Sequence, residues 1–120
     1  KELTIEGKKV RIEEVSFLKK GAVFSVVIDT LPCEGALLAA KESTLFLCES
    51  TFLEEHAHLA KDYHHMTAQQ AATLAQKAGV KKLVLTHFSA RYQELDCFEK
   101  EARALFIPTE AADDLKVFSF

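Results

Sequence analysis

The chain has 120 residues, enough for one compact domain with a modest core. Its formal net charge is −3 and its pI is about 6.0, so the bulk charge does not indicate a nucleic-acid-binding protein, which would need a local basic patch. Hydrophobic residues make up 48% of the chain, too many for a disordered protein, and no apolar run approaches the roughly 18 residues of a membrane helix.

The cysteines are few and far apart: Cys33, Cys48 and Cys97. Because no CxxC pair is present, a zinc knuckle and a thioredoxin-type motif are excluded. We expect these residues to be free thiols that pack as small apolar or surface side chains, in a chain located in the reducing cytoplasm.

The amino-terminal part of the chain carries strand signals. Alternating residues 3–5 and 10–12 around Gly7 predict a hairpin. Two apolar runs follow, at residues 15–18 and 22–28. The second is nearly continuous, which favours a strand that is covered on both faces.

Helices and strands alternate in the rest of the chain. Helices are predicted at residues 32–41, from a capping box at Thr51 to about residue 63, from a second capping box at Thr67 to Gly79, and at residues 95–105. Strands are predicted at residues 44–48 and 83–86, with a closing strand at residues 115–118. This alternation predicts a single α/β domain over residues 1–120 with a largely parallel or mixed sheet.

Four polar side chains are predicted at one edge of that sheet. Asp29, Glu49 and His87 each end a predicted strand, and His65 lies two positions before the cap of a helix. In α/β sheets, ligands bind beyond the carboxyl ends of the strands. We therefore expect these four groups to converge at one site.

Each of the four has a functional and a purely structural interpretation. Asp29 could bridge metal cations or form a turn, and His87 could bind zinc or be a hydrogen-bonded residue at a strand end. His65 could act as a general acid or be an exposed loop residue. Glu49 could orient His65, or could be a loop carboxylate near a helix start.

Other histidines and basic residues are weaker candidates. His56 and His58 form an HxH pair, but the residues after them do not complete the HxHxDH pattern of binuclear hydrolases, so we interpret them as solvated. His64 is interpreted as a loop residue. Arg91 and Tyr92 could contact a phosphate or stack on a base, or could anchor their loop.

Three segments together resemble a known family: CESTF (48–52), HMTAQQAA (65–72) and LVLTHFSARY (83–92). They are similar to ribonuclease Z, the tRNA 3′-processing endonuclease of the metallo-β-lactamase superfamily. The resemblance covers nearly the whole chain and the C-terminal half of that family. It implies that Asp29 and His87 are metal ligands, that His65 helps protonate the departing ribose oxygen, and that Glu49 is its partner.

The resemblance also implies a set of expectations. The fold would be the C-terminal half of an αββα sandwich, a mixed sheet with helices on one face and an apolar other face. The cofactors would be two zinc ions, with manganese or magnesium as substitutes, and the substrate a tRNA precursor. We expect no membrane partner, and a homodimer or the N-terminal half of the parent as the partner of the apolar face.

This sequence departs from the family pattern in two respects. Ile28 stands where the GDT motif has glycine, which suggests that the Asp29 loop differs. The HxHxDH ligands and the basic arm that grips tRNA are absent, so we expect this chain to be inactive alone.

Three alternatives remain open at this stage. The chain could come from another hydrolase of metallo-β-lactamase fold, acting on DNA or on a small phosphodiester. It could be a non-catalytic half-domain that serves dimerisation. More distantly, it could be a receiver-like module with Asp29 as the phosphoacceptor.

Overall fold

The computed structural model describes residues 2–119, in which a four-stranded parallel sheet is covered by helices on one face and a separate hairpin precedes it. The strands are β1 (Glu2–Ile5), β2 (Lys8–Arg11), β3 (Phe24–Val27), β4 (Leu45–Glu49), β5 (Leu83–Thr86) and β6 (Thr109–Ala111). The helices are α1 (Ile12–Val15), α2 (Glu34–Ala40), α3 (Ala57–Asp62), α4 (Ala68–Ala78) and α5 (Asp96–Arg103), and a 3₁₀ turn (Glu54–His56) precedes α3.

The predicted hairpin is confirmed. Strands β1 and β2 are antiparallel and their two-residue connection has φ values of +49° at Glu6 and +77° at Gly7. Positive φ at both central residues matches the right-handed twist of the strands that they connect. Residues 15–18, in contrast, form no strand, because Val15 ends helix α1 and the segment after it is irregular.

The sheet has the order β3-β4-β5-β6, with every neighbouring pair parallel. Parallel neighbours need long crossovers, and α2, α4 and α5 fall within the three that connect these strands. The core lies between these helices and one face of the sheet, where Phe46, Leu83 and Leu85 are fully buried.

Helix α4 lies close to the sheet because its inner face is made of alanine. Its buried residues are Ala68, Ala71, Ala72, Leu74, Ala75 and Ala78. The predicted capping box is confirmed: the Thr67 hydroxyl accepts from Gln70 N, and the Gln70 side chain accepts from Thr67 N. Gly79 ends the helix in the left-handed region with φ +67°, as predicted.

The other face of the sheet carries exposed apolar side chains. Strand β3 alternates, with Ser25 and Val27 buried against the helices and Phe24 and Val26 about half exposed on the open side. The prediction that residues 22–28 are covered on both faces is therefore wrong within the described residues. The run is continuously apolar because the open face also carries apolar side chains, and not because a second layer covers it.

Two further sequence predictions are wrong. The capping box at Thr51 does not form, because the Thr51 hydroxyl bonds Glu49 and His87 instead and the 3₁₀ turn starts after Leu53 with no side-chain cap. The closing strand is β6 rather than residues 115–118, since Leu115 has φ +64°, which is incompatible with a strand. Within residues 2–119, no helix is both long enough and apolar enough to span a membrane.

Loss of the α4 cap should destabilise the domain. The Thr67 hydroxyl also donates to Glu54, so Thr67→Ala would remove the acceptor of Gln70 N and the hydroxyl donor to the Glu54 carboxylate. We expect the free energy of unfolding to fall by about 1–2 kcal/mol in a urea titration. Thr67→Ser keeps the hydroxyl and should retain most of the stability, and equal losses in the two variants would contradict the role of the cap.

The cysteines should differ sharply in reactivity. A hydrogen bond from Ala36 N lowers the pKa of the exposed Cys33 thiol, whereas burial raises the pKa of the Cys48 thiol. Since the thiolate is the nucleophile, iodoacetamide near neutral pH should modify Cys33 first and Cys48 only after unfolding. Peptide mass spectrometry over time measures the order, and fast labelling of Cys48 in the folded chain would contradict it.

Candidate functional site

Two side chains at the sheet edge are presented by strained turns. Asp29, after β3, has φ +57°, and His87, after β5, has φ +59°. Non-glycine residues rarely adopt this conformation, and those that do cluster at functional sites. Ile28 does not have positive φ, so the isoleucine in place of glycine meets no conformational conflict here, contrary to the expectation from the sequence.

Glu49, at the end of β4, forms the hydrogen-bonding centre of the site. Its side chain has no exposed area. One oxygen accepts from Thr30 N at 2.6 Å, and the other accepts from Met66 N and Thr51 Oγ1, both at 2.9 Å, and lies 3.1 Å from His65 Nδ1. A buried carboxylate needs such donors because an unpaired charge is costly to bury.

His65 is paired with Glu49, as the sequence suggested. A carboxylate only accepts hydrogen bonds, so His65 Nδ1 carries the proton of this contact and Nε2 is the nitrogen available for chemistry. The ring is about one-fifth exposed, and its centroid lies 5.3 Å from that of His87. This is the geometry of an imidazole whose tautomer and orientation are held by a buried acid.

Thr51 is a site residue that sequence reasoning missed. Its one hydroxyl proton goes to Glu49, so the hydroxyl oxygen accepts from His87 Nδ1 at 3.0 Å. In the neutral ring, that contact leaves the lone pair on Nε2, and Nε2 lies 3.3 Å from Asp29 Oδ1. The residue was within the CESTF motif, but its resemblance to a helix cap concealed this role.

Asp29, His65 and His87 together form a group that could hold a metal ion. One ligand atom from each lies within 4.8 Å of the others. Carboxylate oxygen and imidazole nitrogen are ligands that zinc accepts, so the donor set fits a metal. Three side chains, of which His65 is engaged by Glu49, are fewer than a binuclear metal site requires.

Of the other two predicted site residues, Arg91 lies beside His65 and Tyr92 supports the fold. Arg91 is exposed and lines a cavity next to His65. Tyr92 packs edge-on against Phe98, and its hydroxyl accepts from Leu53 N and bonds His56 Nδ1. Tyr92 thus anchors the turn before α3, which is one of the two interpretations that the sequence left open.

His58 and His64 make no contact with this group. His58 is exposed and lies with its ring centroid 6.3 Å from that of His56. His64 is exposed with φ +62°, a conformation that turns the chain before His65. The interpretation of the HxH pair as solvated holds for His58 and is wrong for His56, which is partly buried and bonds the Tyr92 hydroxyl; neither belongs to the group of Asp29, His65 and His87.

A second carboxylate holds the two loops of the site together. Glu101, on α5, accepts from Glu54 N and from Gln69 N, and Glu54 in turn accepts from the Thr67 hydroxyl. The loop after β4 and the loop before α4 are therefore tied together behind Glu49 and His65. Burial raises the pKa of Glu101, and the two backbone donors oppose this rise.

A larger cavity lies elsewhere and lacks this chemistry. It measures about 630 Å³ and lies at the amino ends of the strands, with Lys20, Lys41 and Lys81 in its lining. It contains neither a histidine nor a paired acid and base. Ligands of parallel sheets bind at the opposite, carboxyl edge, which is where the Glu49 site lies.

Removing the Thr51 hydroxyl should weaken metal binding by His87. In Thr51→Val, His87 Nδ1 loses its acceptor, so we expect the tautomer preference to weaken and zinc affinity of the chain to fall about 10–100-fold. Imidazole ¹⁵N NMR would report the tautomer and calorimetry the affinity. Thr51→Ser serves as the matched control, and unchanged zinc binding in Thr51→Val would contradict the assignment.

No protein-family model matches the chain. In sequence it is 53% identical over 119 residues to ribonuclease Z of Protochlamydia amoebophila and 50% identical over 119 residues to ribonuclease Z of Chlamydia pneumoniae. Each match covers 99% of this chain. The chain spans only 39% of the length of these curated relatives.

Solved structures agree with this result. A metallo-β-lactamase fold protein from Bacillus subtilis, 22% identical, has a TM-score of 0.67 over 74% of this chain and 36% of its own. Human short-form tRNase Z, 32% identical, has a TM-score of 0.61 over 80% of this chain and 32% of its own. These matches confirm the predicted metallo-β-lactamase fold class. By sequence and by fold, the 120 residues are therefore similar to a part of ribonuclease Z, which confirms the resemblance seen in their motifs.

Proposed function

We propose that the chain is the C-terminal part of an endoribonuclease that removes 3′ trailers from tRNA precursors. The observation that carries the proposal is the buried Glu49–His65 pair, set beside Asp29 and His87 at one edge of the sheet. Relatives named ribonuclease Z at 50–53% identity support the substrate class.

The reaction is hydrolysis of one phosphodiester. Water oxygen bonds to phosphorus, the bond from phosphorus to the 3′-oxygen breaks, and the products are a 3′-hydroxyl on the tRNA and a 5′-phosphate on the trailer. His65 gives a proton from Nε2 to the departing oxygen, which removes the need to expel an alkoxide. Glu49 stabilises the charged imidazole before transfer and holds it in place.

Asp29 and His87 would hold metal in this scheme. Metal bound there, zinc in our proposal, would supply the activation of water and the neutralisation of charge on the phosphate. In the neutral His87 ring, the Nδ1–H donated to Thr51 leaves the lone pair on Nε2, the nitrogen that lies 3.3 Å from Asp29 Oδ1. Since this chain has few ligands of its own, the remaining ligands come from the N-terminal part of the parent, and the chain alone is inactive.

The open face of the sheet is the proposed contact with that N-terminal part. Phe24, Val26 and Ile28 expose 42–52% of their surface there, which is typical of an interface that another layer covers. The parent would act as a homodimer in the cytoplasm, as the resemblance implies.

Variants of the parent protein test the catalytic pair. We expect His65→Ala to lower kcat on a tRNA precursor by about 10²–10⁴-fold with little change in KM, because the proton donor acts in the transition state. Glu49→Gln should lower kcat in the same assay. Its thermal unfolding must be measured in parallel, since Glu49 also bonds three loops.

His58→Ala is the matched control, because it removes an exposed imidazole away from the site. It should keep the activity of the unmodified parent. Full kcat in His65→Ala would contradict the assigned role. Robust cleavage by the purified 120 residues would contradict the proposal that the site is incomplete. Cleavage of DNA or small phosphodiesters but not of tRNA precursors would indicate a different hydrolase.

A further inference from the structure

The cavity next to His65 has features that the acid–base pair does not use. It has a volume of about 390 Å³, within the range of about 300–1,000 Å³ of ligand pockets. Its lining combines two aromatic rings, Phe52 and Tyr63, with Arg91 and with His65 itself. A ligand that reacts at His65 would therefore occupy part of this cavity.

Tyr63 presents an aromatic ring to solvent at the rim of the cavity. It follows helix α3 and is 66% exposed, so its ring contributes little to the core. Phe52 lies behind it, buried, with ring centroids 6.5 Å apart and ring planes 22° from parallel. One ring thus supports the other as a flat platform, whose surface is suited to stacking with a planar ligand.

Arg91 gives the same cavity a positive charge. Within residues 2–119, no carboxylate forms an ion pair with its exposed guanidinium. Guanidinium groups bind phosphate oxygens and also stack on planar rings. An aromatic platform together with an unpaired arginine is the combination with which proteins bind single-stranded nucleic acid.

We propose that this cavity is a nucleotide subsite in which Tyr63 stacks on the base of the nucleotide that retains the 3′-oxygen, while Arg91 contacts an adjacent phosphate. The proposal rests on the proposed function, in which His65 protonates that oxygen. Because the His65 ring centroid lies 6.3 Å from that of Phe52, a ribose at His65 has the aromatic pair within reach of its base. Stacking accepts any base, so the subsite should bind purine and pyrimidine nucleotides alike, with purines favoured by their larger surface.

The test measures nucleotide binding to the 120-residue chain by NMR. Adenosine 5′-monophosphate and uridine 5′-monophosphate are titrated against the chain, and ribose 5-phosphate, which lacks a base, is the comparison ligand. We expect saturable shifts at Tyr63 and His65 with both nucleotides and weaker ones with ribose 5-phosphate. Tyr63→Leu should weaken nucleotide binding about 5- to 100-fold, whereas Tyr63→Phe should retain it.

The two Tyr63 variants distinguish a loss of stacking from a loss of folding. Tyr63 is exposed, so both variants should keep the amide spectrum of the folded chain. Equal binding of ribose 5-phosphate and the nucleotides, or no effect of Tyr63→Leu, would reduce the cavity to an anion site at Arg91 and overturn the proposal. Absence of any nucleotide binding would overturn it as well.

Kinetics of the parent protein distinguish this proposal from the proposed function. Tyr63→Leu should raise KM for a tRNA precursor by a factor similar to the loss of nucleotide binding, and Tyr63→Phe should not. If the unmodified parent cleaves the precursor and Tyr63→Leu leaves its KM unchanged, the subsite is wrong while the function stands. If the unmodified parent does not cleave the precursor, the proposed function fails, and the NMR titration still decides whether nucleotides bind.

Discussion

The site depends on how one buried carboxylate is satisfied. Glu49 has no exposed area, and a buried charge without partners would cost several kcal/mol. Its partners come from three parts of the chain: Thr30 after β3, Thr51 on its own loop, and the His65–Met66 turn before α4. Each loop is therefore held where Glu49 needs a donor, and the geometry of the site follows from the energetics of burial.

The same requirement determines which neutral tautomer both site histidines adopt. Since the carboxylate accepts and cannot donate, the proton of Thr51 and the Nδ1 proton of His65 are directed at it. Thr51 then has only a lone pair to offer His87. Both imidazoles thus have Nε2 available, one near Asp29 for metal and one for proton transfer in the function that we propose.

The two faces of the sheet differ: one forms the packed core, and the other is exposed. One face of the sheet packs against the alanine-rich helix α4 and forms the core, so residues 2–119 have a well-packed side of their own. The opposite face leaves Val26 and Ile28 more than 40% exposed. Parallel sheets are normally covered on both faces, and the chain spans 39% of the length of its curated relatives. The parent protein that we propose would explain both the uncovered face and the small number of candidate metal ligands.

Sequence alone determined the features that depend on local chemistry. The hairpin around Gly7, the capping box at Thr67 and the glycine stop at Gly79 follow from backbone preferences of a few neighbouring residues. The convergence of Asp29, Glu49 and His87 followed from the predicted parallel direction of the strands, because parallel strands end at the same edge. Only the tertiary structure decided between partners that compete for one group. The Thr51 hydroxyl could cap a helix or bond a buried carboxylate. It donates to Glu49, because Glu101 on α5 already accepts from the Glu54 N–H at the start of the 3₁₀ turn, a long-range partner that the local sequence does not indicate.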